Sequence, residues 1–227
     1  MSNLAIIPAR GGSKRIPRKN IKNFLGKPII SYSIRSAIDS NLFDEIMVST
    51  DDSEIAEVAQ KYGAKVPFMR SEENSNDYST TMDVLQEVLD NYELIGKKFD
   101  HACCIYPTAP LIKKGDLIKG YETLQKGIFD SVFPIVAFSY PVWRSVKIID
   151  GKTKMIWPEY SNSRSQDLDS VYHDAGQWYW FMVKKFSHTL FMENSTSIIL
   201  SELSVQDIDN ETDWKLAELK YKLNNDK

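Results

Sequence analysis

Leu4-Ala-Ile-Ile-Pro-Ala-Arg-Gly-Gly-Ser-Lys-Arg-Ile-Pro-Arg-Lys-Asn20 sets the reading of the whole chain. Leu4 to Pro8 is a short apolar run, as a buried strand would be, and it stops at glycines and cations. Arg10, Lys14, Arg15, Arg18 and Lys19 crowd around Gly11-Gly12, just past the carboxyl end of that strand, where open α/β sheets bind ligands. Glycines let backbone N–H groups approach a phosphate, and Lys and Arg neutralise its charge. The spacing matches neither the Walker loop nor the dinucleotide Gly-x-Gly-x-x-Gly. By itself it fits a phosphate loop or a solvated basic turn equally well.

Outward from this stretch, strand and helix signals alternate. Ile30, Ile34 and Ile38 repeat at helical spacing, and Glu45 to Thr50 predicts a second strand. Ile55, Val58, Ala59 and Tyr62 form a helical stripe that Gly63 stops; Lys65 to Phe68 predicts a short third strand. Leu85, Val88, Leu89 and Tyr92 make another stripe, with Thr80 or Thr81 near its start. Phe99–Ile105, a helix around Leu117 to Leu124, and Ser131–Phe138 continue the pattern. Strands alternating with helices of about ten residues predict an α/β fold, a mostly parallel sheet covered on both faces. The rhythm breaks from Ser139 to Tyr172, where Val146 to Trp157 reads as a hairpin turning at Asp150-Gly151. Gly176 to Val183 predicts a further strand, Thr212 to Tyr221 a closing helix, and Lys220 to Lys227 its solvated, fraying end.

With 227 residues, 28 Lys+Arg and 31 Asp+Glu, the net charge is −3. The length suits one domain with an addition. No basic block recommends duplex nucleic acid as a partner. No apolar run nears the ~18–20 residues of a membrane span. The first residues lack the features of a signal peptide, and adjacent Cys103 and Cys104 cannot build a disulfide framework, so the expected location is cytoplasmic.

Beyond the first loop, Val48-Ser-Thr-Asp-Asp52, Arg70-Ser-Glu followed by Ser75-Asn-Asp77 and Thr80, Tyr106-Pro-Thr-Ala-Pro110 and Asp207-Ile-Asp209 occur in order. Together they resemble the CMP-sialic acid synthetase family, cytidylyltransferases that activate 2-keto sugar acids. The resemblance runs over essentially the whole chain. It implies a Rossmann-like nucleotidyltransferase sheet spanning residues 1–227, with an inserted dimerisation and sugar-binding arm at about 139–172. It also implies CTP and a nine-carbon 2-keto sugar acid as substrates, and a homodimer.

Residue by residue, the resemblance implies a nucleotide site of Ala9, Arg10, Gly11, Gly12, Ser13, Lys14, Lys19, Asn20, Arg70, Asp77, Thr80 and Thr108, with Arg10, Lys14 and Asp209 nearest the chemistry. Asp207-Ile-Asp209 has its own logic: in an extended segment both carboxylates face one way, and two hard oxygen ligands suit Mg²⁺. The same acids would also suit the N-terminus of the following helix. Where sialic-type members usually carry Gln, this chain has Tyr106. Arg164-Ser-Gln166 and Tyr172-His173-Asp174-Ala-Gly-Gln177 resemble instead the branch that activates pseudaminic acid. Arg164 is suited to pair with a sugar carboxylate. Tyr106, Gln166, His173, Asp174 and Gln177 complete the expected sugar set. The alternatives are another sugar acid (legionaminic, sialic or ketodeoxyoctonate) and a CTP-binding module without turnover. Trp178-Tyr-Trp180 reads as a packed strand, and His101 and His188 have no metal-ligand spacing.

Overall fold

A computed structural model describes residues 1–225. The first apolar run is β1 (Asn3–Pro8), whose Leu4, Ala5, Ile6 and Ile7 are fully buried. β2 (Asn23–Phe24) and β3 (Lys27–Pro28) form a small hairpin before α1 (Ile30–Ser40). β4 (Glu45–Ser49), α2 (Ser53–Lys61), α3 (Thr81–Leu94), β5 (His101–Ile105), α4 (Lys114–Gln125) and β6 (Ser131–Ala137) follow the predicted alternation. β7 (Val146–Ile149) and β8 (Lys152–Met155) pair only with each other. Then come β9 (Tyr172–Asp174), β10 (Trp178–Met182), β11 (Ser195–Leu200) and α5 (Glu211–Asn225). Of the expected fraying end, residues 226 and 227 lie outside the described residues.

The main sheet has the order β11-β6-β10-β5-β1-β4, with β9 on β6. β4, β1 and β5 are mutually parallel; β10 enters antiparallel between β5 and β6, and β11 runs parallel to β6. The sheet is therefore mostly parallel, with β10 and β9 reversed. Alternate side chains serve opposite faces. Ala5 and Ile7 pack with Ile30, Ile34, Ile55 and Leu117 of α1, α2 and α4; Leu4 and Ile6 pack with Leu85, Val88 and Tyr92 of α3. Helices thus cover both faces, as the pattern predicted.

Two departures have local causes. Lys65 to Phe68 does not become a strand and makes only the bridge from Lys65 to Met47, because Pro67 has no N–H to continue a ladder. β11 and β9 carry no strand signal in the sequence: β11 opens on Ser-Thr-Ser, and all of β9 is exposed, so neither shows a buried apolar run. The hairpin forms as expected, with Asp150 and Gly151 at φ 50° and 73°, the signature of a type I′ turn. Val146, Ile148 and Ile149 remain exposed on it.

Candidate active site

β1 delivers the glycine loop to the carboxyl end of the parallel strands. There a cleft of about 410 Å³ opens, lined by Pro8, Arg10, Ser13, Lys14, Arg15, Ile16, Lys19, Asn20, Tyr106, Pro107 and Thr108. The loop is held from behind. Gly11 N donates to Asp51 at 2.8 Å, and the Asn20 amide donates to the Arg10 carbonyl at 2.9 Å. Arg18 clamps Asp52 through both terminal nitrogens and also reaches Glu54. Asp52 caps α2 as well, accepting from Ile55 N. A Cβ on Gly11 would sit 2.7 Å from Asp52 Oδ2, so the loop passes this carboxylate only as glycine. The Arg18 guanidinium holds the Asp52 carboxyl down to about 2.

Four cations remain in the cleft, each within reach of a carboxylate. Arg10 donates to Asp77 at 3.0 Å and to the Asn76 carbonyl at 3.1 Å, and Lys14 contacts the other Asp77 oxygen. Lys14 foremost, then Arg10, holds Asp77 below the usual carboxylate range. Arg15 reaches Asp209 Oδ2 at 2.7 Å. Lys19 donates to the Ile208 carbonyl at 2.7 Å and lies 4.0 Å from Asp209 Oδ1. Burial pushes the Lys19 ammonium down, while Asp209 and Asp207 push it back up. Lys19 therefore feels both acids of the Asp-Ile-Asp motif.

Ile208 is fully buried among Ile16, Phe24, Ile29 and Trp214, with Asp207 exposed and Asp209 half-buried on either side of it. The competing role for these acids is taken by others. Asn210 accepts from Thr212 N and Asp213 N, and Asp213 accepts from Asp209 N and Asn210 N. This reciprocal cap satisfies the start of α5 and leaves the Asp207 and Asp209 side chains uncommitted to it. Neither acid lines the cleft itself, but Asp209 reaches two of its cations, Arg15 and Lys19, and as a pair of hard oxygen donors the two acids fit Mg²⁺, which would take its other ligands from water and phosphate. Among the described residues no group of three or more His, Cys, Asp or Glu could hold a metal.

The remaining expected residues divide. Thr108 and Tyr106 line the cleft. Ala9 is buried beneath it, its N–H on the Ser49 carbonyl, and Gly12 has open space around it. Arg70 does not line the cleft: it is buried and braces the end of β4 through Ser49 Oγ (3.0 Å) and Ser49 O (2.6 Å). Thr80 does not line it either, serving as the N-cap of α3 in a capping box with Asp83.

Burial pushes the Tyr106 hydroxyl up to about 12, and its ring lies 5.4 Å from that of Tyr179, whose hydroxyl donates to Asp174. Asp174 also accepts from Gly176 N at 3.1 Å, and His173 Nδ1 lies 2.9 Å from the Asp174 carbonyl. Gln177 is buried and does not line the cleft, its amide donating to the Ser204 carbonyl at 2.7 Å. Arg164 and Gln166 are exposed on the arm and do not line the cleft.

From the sequence, Asp51 and Asp52 carry no individual role, Arg15 reads only as one of the loop's cations and Tyr179 only as part of a packed strand. The available signal for the first two was position, since Asp51-Asp52 follows β4 at the same sheet end as the glycine loop.

Residues 4–206 match the profile of the cytidylyltransferase family. A pseudaminic acid cytidylyltransferase from Campylobacter jejuni subsp. jejuni serotype O:2 is 43% identical over 229 residues, covering 100% of this chain and 99% of that protein. A CMP-N,N'-diacetyllegionaminic acid synthase from Legionella pneumophila is 33% identical, covering 99% and 98%. A solved CMP:2-keto-3-deoxy-manno-octonic acid synthetase complexed with CTP superposes with a TM-score of 0.69 over 100% of both chains at 16% identity, a likeness of fold. The chain belongs to the cytidylyltransferase family.

Proposed function

We propose that this enzyme transfers CMP from CTP to the anomeric hydroxyl of pseudaminic acid, releasing pyrophosphate. The full-length 43% identity to a pseudaminic acid cytidylyltransferase supports that substrate above the 33% relative named for legionaminic acid. The cation-lined cleft beside Asp207 and Asp209 is the observation that supports the chemistry.

In this reading the sugar hydroxyl attacks the α-phosphorus of CTP in line, with pyrophosphate leaving. Such chemistry needs positioning and charge neutralisation more than covalent help. Arg10 and Lys14 bind the triphosphate, with Lys19 alongside and the Gly11, Gly12 and Ser13 amides as added donors. Asp207 and Asp209 hold Mg²⁺, which when bound neutralises phosphate charge and lowers the cost of the developing negative charge. Asp77 returns to solvent as the phosphates take its two cations. Tyr106 and the Tyr179–Asp174 pair face the sugar. No side chain is assigned as general base.

The arm at 139–172 serves a homodimer in this reading. The exposed Val146, Ile148, Ile149 and Ile156 support it, since such apolar surface favours a partner. Light scattering should give twice the 26.1 kDa chain mass, and a monomer would defeat the proposal. We assign the enzyme to the cytoplasm, in keeping with two free, buried cysteines. Among the described residues no helix is long and apolar enough to cross a membrane.

Pyrophosphate release from CTP and Mg²⁺, measured with each sugar acid separately, tests the function. Turnover of legionaminic or sialic acid but not pseudaminic acid overturns the substrate and leaves the reaction class standing. Tight CTP binding without any release overturns the reaction.

A further inference from the structure

Among the described residues, no strand pairs with the segment joining β11 to α5, although it carries Asp207 and Asp209. A backbone outside any ladder needs other partners for its carbonyls. Here side chains from three separate elements supply them. Lys220 on α5 donates to the carbonyls of Glu202 (3.0 Å) and Val205 (2.7 Å). Asn224, one turn later on α5, donates to the Leu203 carbonyl at 2.9 Å. Gln177, ahead of β10, takes the Ser204 carbonyl, and Lys19 of the glycine loop takes that of Ile208.

Lys220 alone closes two of these contacts. An ammonium has three protons and no acceptor, and its bonds to carbonyls are charge-assisted. Gripping residues 202 and 205 together fixes the turn that ends two residues before Asp207. Lys220 is itself half-buried and is not among the residues lining the cleft.

We propose that Lys220 is a positioning residue for the Asp207 and Asp209 carboxylates, acting through the backbone carbonyls of Glu202 and Val205. The proposal rests on reading that pair as the metal ligands. Lys220→Met keeps most of the aliphatic stem and removes the ammonium; without it the Val205 carbonyl loses its donor, the Glu202 carbonyl keeps only the Val205 N–H, and the carboxylate pair shifts against the loop.

The probe is Mn²⁺, titrated into the nucleotide-free protein and followed by electron paramagnetic resonance. Lys220→Met should weaken Mn²⁺ binding about ten-fold, the scale on which groups behind metal ligands act. Lys220→Arg should restore most of it. CTP binding in EDTA should stay within about two-fold of the parent, because the glycine loop is untouched.

If Lys220→Met fails to fold, Asn224→Leu replaces it, with a loss of about three-fold expected from the single carbonyl it frees. Mn²⁺ affinity unchanged in the folded Lys220 or Asn224 variant, while Asp207→Asn abolishes it, overturns the positioning role alone. Mn²⁺ affinity unchanged in both Asp207→Asn and Asp209→Asn overturns the metal reading, and this proposal with it.

Discussion

Arg15 and Asp209 form an ion pair, with Nη1 2.7 Å from Oδ2, joining the glycine loop to the segment that ends nearly two hundred residues later. The pair occupies one of the two carboxylates proposed for Mg²⁺. Both partners are substantially exposed, so the contact contributes little to folding. Its effect is competition for the carboxylate. Arg15→Met should therefore leave the melting temperature nearly unchanged and tighten nucleotide-free Mn²⁺ binding about two- to five-fold. Unchanged or weaker Mn²⁺ binding would contradict this.

Asp77 plays the corresponding part toward the triphosphate, neutralising Arg10 and Lys14 while no nucleotide is bound. Asp77→Asn should tighten CTP binding about two- to five-fold at low salt. The advantage should shrink at 0.5 M salt as the exposed charges are screened. Isothermal titration at the two salt concentrations measures it, and weaker CTP binding by the variant would assign Asp77 to the bound nucleotide instead.

Asp52 gives the loop a pH dependence. Its carboxyl lies at about 2 in the folded protein, chiefly through Arg18, against about 4 unfolded. A depressed carboxyl stabilises fully above the unfolded value, and that contribution is lost as pH falls through about 2. Asp52→Asn, which retains the helix cap, should cost about 1–2 kcal/mol at pH 7. In urea titrations its difference from the parent should narrow below pH 4 and be gone near pH 2. A gap independent of pH would show that the ion pair contributes nothing.

Gly120 lies within α4, where alanine would ordinarily be favoured by about 1 kcal/mol. A Cβ there would approach Trp178 Cη2 and Cζ3 to 2.5 Å, and Trp178 is fully buried. Overpacking of this kind costs about 1–3 kcal/mol and should win over propensity. Gly120→Ala is expected to lower the melting temperature by several degrees, whereas a rise would mean that the indole can move aside.

The sequence made the fold class legible because its signals are local. Stripes such as Ile55, Val58, Ala59 and Tyr62 require only a helical period, and the glycine-cation loop reads within a dozen residues. What stayed hidden was pairing at a distance. Nothing near Asp52 announces that Arg18, 34 residues earlier, will hold it. Gln177 reads as one of the expected sugar contacts, yet the fold buries it against Ser204. Likewise nothing in Asp207-Ile-Asp209 foretells that Asn210 and Asp213, rather than these acids, fill the cap of α5.

The antiparallel entry of β10 between β5 and β6 also governs the order in which the molecule can assemble on the ribosome. Until Trp178 to Met182 has emerged, β6 has no neighbour linking it to β5, and the nascent chain holds two unjoined sheet fragments with open edges. At about 5–20 residues per second, some seconds pass between synthesis of the glycine loop and arrival of the strand that joins them. The edges of β5 and β6 are then templates for unwanted strand pairing, a vulnerability of the growing chain that the finished sheet no longer displays.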